Sequence, residues 1–515
     1  MKNILIPLIV ALATLYSRGQ TTTECPELPY VPHLIHPVPT ITDTLHLTPP
    51  EDESPALPPE GEKRGIFWVH GFGGDQYSWD GPNLATNLGA QGFPARNVVT
   101  AQLTYGANSL ATAGVNLQEE MVLRKPAFES VGVTNHLRNY VIAHSQGGLV
   151  ARMTDKQYDI ISDPRMFGGI VTFGTPHGGA YILNSRDNGR IQEFAKDGCN
   201  ALGSAEILSA LGQNVSPFIF SIASNGILSA LNGACTIGSA LLPYTLFSEL
   251  NTPISQDYSV GATELNNLNS HGNPNVYKVA MHGVEYADGE APAYPKQLMW
   301  RTFSSRNASS APVFGADDDN ELVDLANQQT ARYLQEFYHN LQLAIYHSQG
   351  GLLWHNYKME KYEKLATVFK IAYTFMQNAD TKWKFIIGAQ GGQWAPNPSG
   401  PCQCISISPA SGFEPALVSM NTLTNQQDCE AFSNFDPVTE ETIANCLWQP
   451  LIWESTAKPS DGVVLQESQT AFPGAFPRYM DKTNHFQMRN SSKTKEALLD
   501  LYNGELLKFF ETKPR

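Results

Sequence analysis

The string His-Ser-Gln-Gly-Gly-Leu occurs twice in the chain, in "NYVIAHSQGGLV" around Ser145 and in "LAIYHSQGGLLW" around Ser348. A serine hydroxyl becomes a useful nucleophile when a neighbouring base takes its proton and a third group orients that base. A sharp strand-to-helix turn is one way to present it. Such a turn is so tight that the residues two before and two after the serine must be small. Ser145 follows the apolar run Val141-Ile142-Ala143, has Ala143 and Gly147 at those positions, and leads into "GLVARMTDKQYD". Ser348 has the bulky Tyr346 two residues before it and closes an amphipathic helical pattern, with Gly350-Gly351 as a ready C-cap. The flanks make Ser145 the candidate nucleophile and Ser348 a helix end.

The remaining parts of a serine-based constellation follow in order along the chain. Of thirteen histidines, His485 in "MDKTNHFQMRN" lies near the C-terminus, where the base is expected. Upstream, "KPSDGVVLQES" offers Asp461, a lone acid on a turn before an apolar stretch, with Asp481 and Asp436 as reserves. A tetrahedral intermediate also needs two backbone N–H donors for its oxyanion. Gln146, the residue after the nucleophile, is placed to give one. Phe72, in "HGFGG" after the strand-like "GIFWV", is placed to give the other. His70, His144 and His177 read as structural histidines. The run Asp317-Asp318-Asp319 reads as a solvated loop or helix start rather than a cation site.

These residues need a scaffold that ends several strands on one side. Short apolar runs at 65–69, 96–105, 139–143, 168–173 and 275–283 are separated by helix-length segments. That pattern predicts buried parallel strands of an α/β sheet. Residues 180–265, rich in Gly, Ser, Asn, Ala and Leu, suit an irregular helical excursion. Leu322, Leu325, Tyr333, Phe337, Leu341 and Ile345 recur at helical spacing. Leu352, Tyr357, Tyr362, Leu365, Val368 and Phe369 resume the pattern after the Gly pair. A long helical hairpin inserted in the sheet domain is therefore expected. Its aromatic stripe (Tyr333, Phe337, Tyr346, Trp354, Phe369) reads first as hairpin core and second as the apolar face of a lid.

At 515 residues, 42% hydrophobic and 16% charged, the chain can bury a sizeable core. A net charge of −15 with no basic cluster argues against nucleic-acid partners. The start "MKNILIPLIVALATLYSRGQ" resembles a secretory signal: Lys2, an apolar stretch from Ile4 to Tyr16, then a small-x-small cleavage site. An exported soluble protein, secreted or periplasmic, is expected, with a retained anchor as the alternative. Export makes disulfides plausible. Cys199 with Cys235 is one pairing, and two bridges among Cys402, Cys404, Cys429 and Cys446 another; spacing does not fix the connectivity. The expected organisation is a signal at 1–19 and a Pro-rich arm at 20–61, which carries ten prolines. A core follows at 62–315 and 440–515, with a helical hairpin or cap and Cys-rich loop at 316–439.

Taken in order, "HGFGG", "AHSQGG", "FGTPHGG", "SDGVV" and "NHF" resemble the serine lipases and esterases of the α/β-hydrolase superfamily. The resemblance covers roughly 62–182, 275–283 and 455–510. It implies a mostly parallel central sheet flanked by helices, with a large helical insertion. It implies Ser145, Asp461 and His485 as catalytic triad, Phe72 and Gln146 as oxyanion donors, and a glycine-x oxyanion loop of the kind that accompanies medium or long acyl chains. Two departures stand out: Ala143 replaces the usual elbow glycine, and a very large insertion precedes Asp461. The implied activity is acyl-ester hydrolysis through an acyl-enzyme. It needs no cofactor, takes an ester or lipid as substrate, makes transient contact with lipid aggregates and requires no obligate protein partner. An acyltransferase or amidase using the same triad is the alternative reading, followed by a non-enzymatic surface-binding protein on a hydrolase scaffold.

Overall fold

The structure is a computed structural model. It describes residues 35–36, 64–74, 78–79, 98–103, 105, 108–130, 132–158, 164–220, 223–224, 227–232, 235, 252–307, 320–350, 353–396, 403–406, 446–449 and 451–502. The expected signal at 1–19, most of the Pro-rich arm, Asp317 to Asp319, Cys25, Cys402, Cys429 and the reserve Asp436 lie outside the described residues. By internal contacts the chain forms two units, one of Met1–Val38 with Gly391–Thr456 and one of Pro39–Gln390 with Ala457–Arg515.

The larger unit is built on six parallel strands: β1 (Arg64–Val69), β2 (Val98–Leu103), β3 (Tyr140–His144), β4 (Gly169–Phe173), β5 (Tyr277–Val284) and β6 (Phe476–Asp481). Their order across the sheet is β6-β5-β4-β3-β1-β2, and every neighbouring pair is parallel. Register is tight through the centre: Val69 lies opposite Ala143, Ala143 opposite Thr172, and Thr172 opposite Ala280. This is an α/β-hydrolase fold. The five apolar runs read from the sequence are the first five strands. The sixth, "FPRYMD", carries little apolar signal because much of it is only half-buried.

Helices cover both faces, which is why β3 and β4 are buried at every residue. On one face Ile66, Trp68, Ile142, Val171, Phe173 and Met281 pack with Ala497, Leu498 and Leu501 of the C-terminal helix. On the other, Phe67 stacks on Phe128 of α1 (Leu110–Ser130). α2 (Gln146–Tyr158) leads directly off β3. The strand order reverses between β1 and β3, because the chain steps outward to β2 and returns across β1. At such a switch point the loops leaving the two neighbouring strands diverge and open a crevice.

The described part of 180–265 is more regular than its composition implies. It includes the 25-residue helix α3 (Arg190–Asn214), whose Ala201, Ala205, Leu208 and Gly212 are buried at helical spacing. The partner surface is the expected hairpin, α5 (Glu321–Ser348) and α6 (Leu353–Ile386), joined to the sheet domain through α4 (Leu298–Asn307). Tyr333, Leu365, Phe369 and Ala372 of the hairpin pack with Ala205 and Leu208 of α3. Its small side chains, which loops also favour, serve close helix packing here. Of the aromatic stripe, Tyr333 and Phe369 are hairpin core, whereas Tyr346 is 66% exposed. A disulfide joins Cys199 to Cys235.

The smaller unit holds a three-stranded sheet in the order Ile35–His36, Gln390–Pro396, Leu451–Ala457, and an antiparallel pair of Gln403–Ser406 with Cys446–Gln449. Among the described residues no helix is long and apolar enough to cross a membrane. Phe369 is the buried aromatic on which the hairpin and α3 converge, so Phe369→Ala is expected to cost about 3–5 kcal/mol. Urea denaturation reads this as a lowered midpoint at unchanged slope.

Candidate active site

The turn at Ser145 is where local sequence and fold meet most closely. Ser145 has φ +52°, a left-handed conformation rare outside glycine, which costs on the order of 1–3 kcal/mol. The turn is held from three sides. The Ser145 amide donates to the Phe173 carbonyl at 2.8 Å, and the Ser145 carbonyl accepts from the Gly148 amide at 3.0 Å and the Thr175 hydroxyl at 2.8 Å. At Gly147 a Cβ would sit 2.2 Å from the His70 carbonyl oxygen, so no side chain fits there. Ala143, two residues before the serine, is fully buried, which the small methyl allows.

His485 follows β6 through a turn in which Lys482 also takes a positive φ, +48°. Its Nε2 lies 2.9 Å from Ser145 Oγ, and its Nδ1 lies 2.8 Å from Asp461 Oδ2. The His485 amide donates to the Asp461 carbonyl at 2.8 Å. Asp461 is wholly buried, and its second oxygen, Oδ1, accepts from the amides of Val463 at 3.0 Å and Val464 at 2.7 Å. With Nδ1–H committed to the carboxylate, the Nε2 lone pair faces the serine hydroxyl. That geometry lets the imidazole accept the hydroxyl proton and lets the carboxylate stabilise the imidazolium. Ser145, Asp461 and His485, distant in sequence, are thus brought within hydrogen-bond reach of one another.

The reserve Asp481 has its Oδ1 taken by the hydroxyls of Tyr286 at 2.6 Å and Tyr479 at 3.1 Å. Ser348 ends α5 and turns its hydroxyl back to the Ile345 carbonyl at 2.7 Å. The expected oxyanion donors lie next to Ser145 in the chain and in the loop after β1. Gln146 opens α2, where first-turn amides have no intrahelical acceptor. Phe72 sits in the turn closed by the Gly74 amide on the Gly71 carbonyl at 3.1 Å.

Two tyrosines missed at the sequence level tie these segments together. Tyr105 stacks on His70, and its single phenolic proton is shared between the His70 carbonyl at 3.2 Å and Gln146 Oε1 at 3.0 Å. The other end of the Gln146 amide donates to the Tyr258 hydroxyl at 3.0 Å. No spacing rule links Tyr105 or Tyr258 to the "HSQGG" string. A sequence signal for them is absent because the contacts are made across loops.

The neighbouring histidines have structural partners. His144 donates Nε2–H to the His485 carbonyl at 2.8 Å and so anchors the histidine turn; burial, then the neighbouring His485, hold its pKa well below the usual range. His177 faces Thr172 through Nε2 at 2.9 Å and the Arg152 guanidinium through Nδ1 at 3.1 Å. Burial and then Arg152 keep it neutral. His70 bonds the Gly71 carbonyl through Nδ1 at 2.8 Å. Among the described residues no group of three or more His, Cys, Asp or Glu is arranged to hold a metal ion.

No protein-family model and no curated protein matches the chain. Solved structures similar to it include the mature form of lipase BlEst2 from Bacillus licheniformis, at 13% identity over 46% of this chain and 73% of that one, TM-score 0.26. Phospholipase PlaB from Legionella pneumophila is 13% identical over 43% of this chain and 39% of that one, TM-score 0.26. MenH from S. aureus is 15% identical over 43% of this chain and 76% of that one, TM-score 0.20. At these TM-scores the likenesses carry no argument about mechanism. The site stands on its own distances.

The buried imidazoles fix the direction of the pH dependence. His144 and His177 are held neutral, and burial brings His282 down to about 4. In the unfolded chain each titrates near 6.5, so unfolding between pH 6 and 5 takes up about three protons at these positions. Glu193 opposes them. Burial first, then Asp197, raises its pKa to about 7, so unfolding releases about one proton there. Lowered histidine pKa values stabilise the fold above the unfolded value, and this stability is lost as pH falls. For these four groups together, stability should fall as the pH drops from 6 to 5, with Glu193 offsetting part of the loss. Urea titrations at pH 6 and 5 check it: His282→Gln is expected to remove about one proton's worth of the slope.

Proposed function

We propose that the protein is a serine hydrolase of acyl esters, with Ser145 as nucleophile, His485 as general base and acid, and Asp461 as the orienting carboxylate. The observation that carries the reading is the continuous hydrogen-bonded line from Asp461 Oδ2 through His485 to Ser145 Oγ, with 2.8 and 2.9 Å links, built on a strained turn. His485 Nε2 takes the proton of Ser145 as its oxygen attacks the ester carbonyl. The amides of Phe72 and Gln146 receive the oxyanion. Collapse of the tetrahedral intermediate expels the alcohol, which leaves with the proton from His485. A water activated by the same imidazole then releases the acid and restores the serine.

The substrate class is lipid-like by the same reading, and the protein acts after export. The uniform acidity of the chain, −15, sets it against polyanionic partners. An acyltransferase would share the first half of the cycle and differ in passing the acyl group to an alcohol.

A nitrophenyl-ester chain-length series, run beside an emulsified triglyceride, tests the activity. Ser145→Ala is expected to lose turnover by about a millionfold, while Ser348→Ala hydrolyses at the wild-type rate. Equal loss in both variants, or none in Ser145→Ala, contradicts the assignment. Tyr105→Phe removes the hydroxyl that ties His70 to Gln146. It is expected to lower kcat by about tenfold at nearly constant KM, since a loosened oxyanion donor acts in the transition state rather than in binding. Steady-state kinetics on a short ester separates the two terms.

A further inference from the structure

The acid and histidine turns are both held from outside the sheet by the helical segment that follows β5. Gly462, next to Asp461, has φ +93°, and a Cβ there would lie 1.8 Å from Thr302 Oγ1 of α4. The Gly462 carbonyl accepts the indole N–H of Trp383, near the end of α6, at 2.9 Å. The turn carrying Asp461 is therefore wedged against α4 on one side and hydrogen-bonded to α6 on the other. The histidine turn is held through a second line. Asn484, buried beside His485, accepts the amides of Phe486 at 3.2 Å and Gln487 at 3.1 Å on its Oδ1. Its Nδ2 donates to Glu285 Oε2 at 3.0 Å, and Glu285 Oε1 lies 3.3 Å from Arg301 Nε of α4. Arg301 also reaches Glu290 at 3.2 Å.

The two helices that supply these contacts are fastened to each other. The Met299 amide of α4 donates to Asp380 of α6 at 2.8 Å, and Phe303 packs edge-on to Trp383 at 5.1 Å. Ser185 caps the Ile386 carbonyl at the end of α6 at 2.7 Å. One rigid junction thus touches both the turn that carries the acid and the turn that carries the base.

We infer that the junction of α4 with the end of α6 is a brace that sets the placement of Asp461 against His485, with Trp383 and Arg301 as positioning residues, so that the helical insertion is part of the catalytic machinery rather than a detachable cover. The inference rests on the triad reading above. Trp383 acts by fixing the carbonyl that follows the acid. Arg301 acts by neutralising Glu285, which is then free to hold Asn484 without an uncompensated buried charge.

A double-mutant cycle tests this on the full-length protein, with turnover of a short nitrophenyl ester as readout. Trp383→Phe keeps the ring in its packed site and removes the N–H. In the wild-type background it is expected to lower kcat by about tenfold, the size of one neutral hydrogen bond, with KM within twofold. In an Asp461→Asn background it is expected to lower kcat by less than twofold, because a residue acting through the acid has nothing left to position. Equal losses in the two backgrounds, or wild-type kcat in Trp383→Phe, overturn the brace. If Asp461→Asn alone retains full turnover, the triad reading has failed instead, and the two failures are told apart by that single variant. Should Trp383→Phe not fold, Asp380→Ala, which releases the Met299 amide and so unfastens α4 from α6, supplies the second cycle with the same expectations. Equal losses in the two backgrounds again overturn the brace.

Discussion

A carboxylate with no exposure to water is tolerated only if its oxygens are fully engaged, and Asp461 is such a group. One oxygen takes two backbone amides and the other takes the imidazole of His485. Each of these partners constrains something further. The amides require the chain to turn back at Gly462, where only glycine fits. The imidazole must arrive from the loop after β6, and its own amide donates to the Asp461 carbonyl, so the two turns are locked as a pair. From that locked pair His485 reaches Ser145 without any rearrangement.

The nucleophile side obeys a different constraint, one of space. The Ser145 turn passes so close to the loop after β1 that Gly147 has no room for a side chain beneath the His70 carbonyl. The closeness brings the segment of Gln146 against the loop that carries Phe72. Tyr105 bridges both segments from the side, and the strain at Ser145 is borne by the sheet through the Phe173 carbonyl and by the Thr175 hydroxyl. Electrostatic engagement sets Asp461 and His485; steric closeness sets Ser145. The parallel sheet connects them by ending β3, β5 and β6 on the same side.

Much of this is legible in the sequence, because strong local constraints leave strong local marks. Apolar runs bounded by turn residues mark β1 to β5, and small residues around Ser145 separate it from the identical hexapeptide at Ser348. Trp383, Asn484, Glu285, Tyr105 and Tyr258 left no such mark. Their contacts reach across as many as 199 residues, and a single tryptophan at the end of a long helix looks like ordinary core. The edge strand β6 was missed because only Met480 within it is buried. The α3 region was read as irregular because its alanines and glycines, chosen for close packing on Leu365 and Phe375, are the residues that loops also favour.

The most direct measurement is covalent. Exposure of the intact protein to a fluorophosphonate, followed by peptide mapping by mass spectrometry, reports which hydroxyl has a base within reach. The account predicts one adduct, on the peptide that carries Ser145, and none in Ser145→Ala. An adduct on Ser348, or an intact protein that takes up no label, would contradict it.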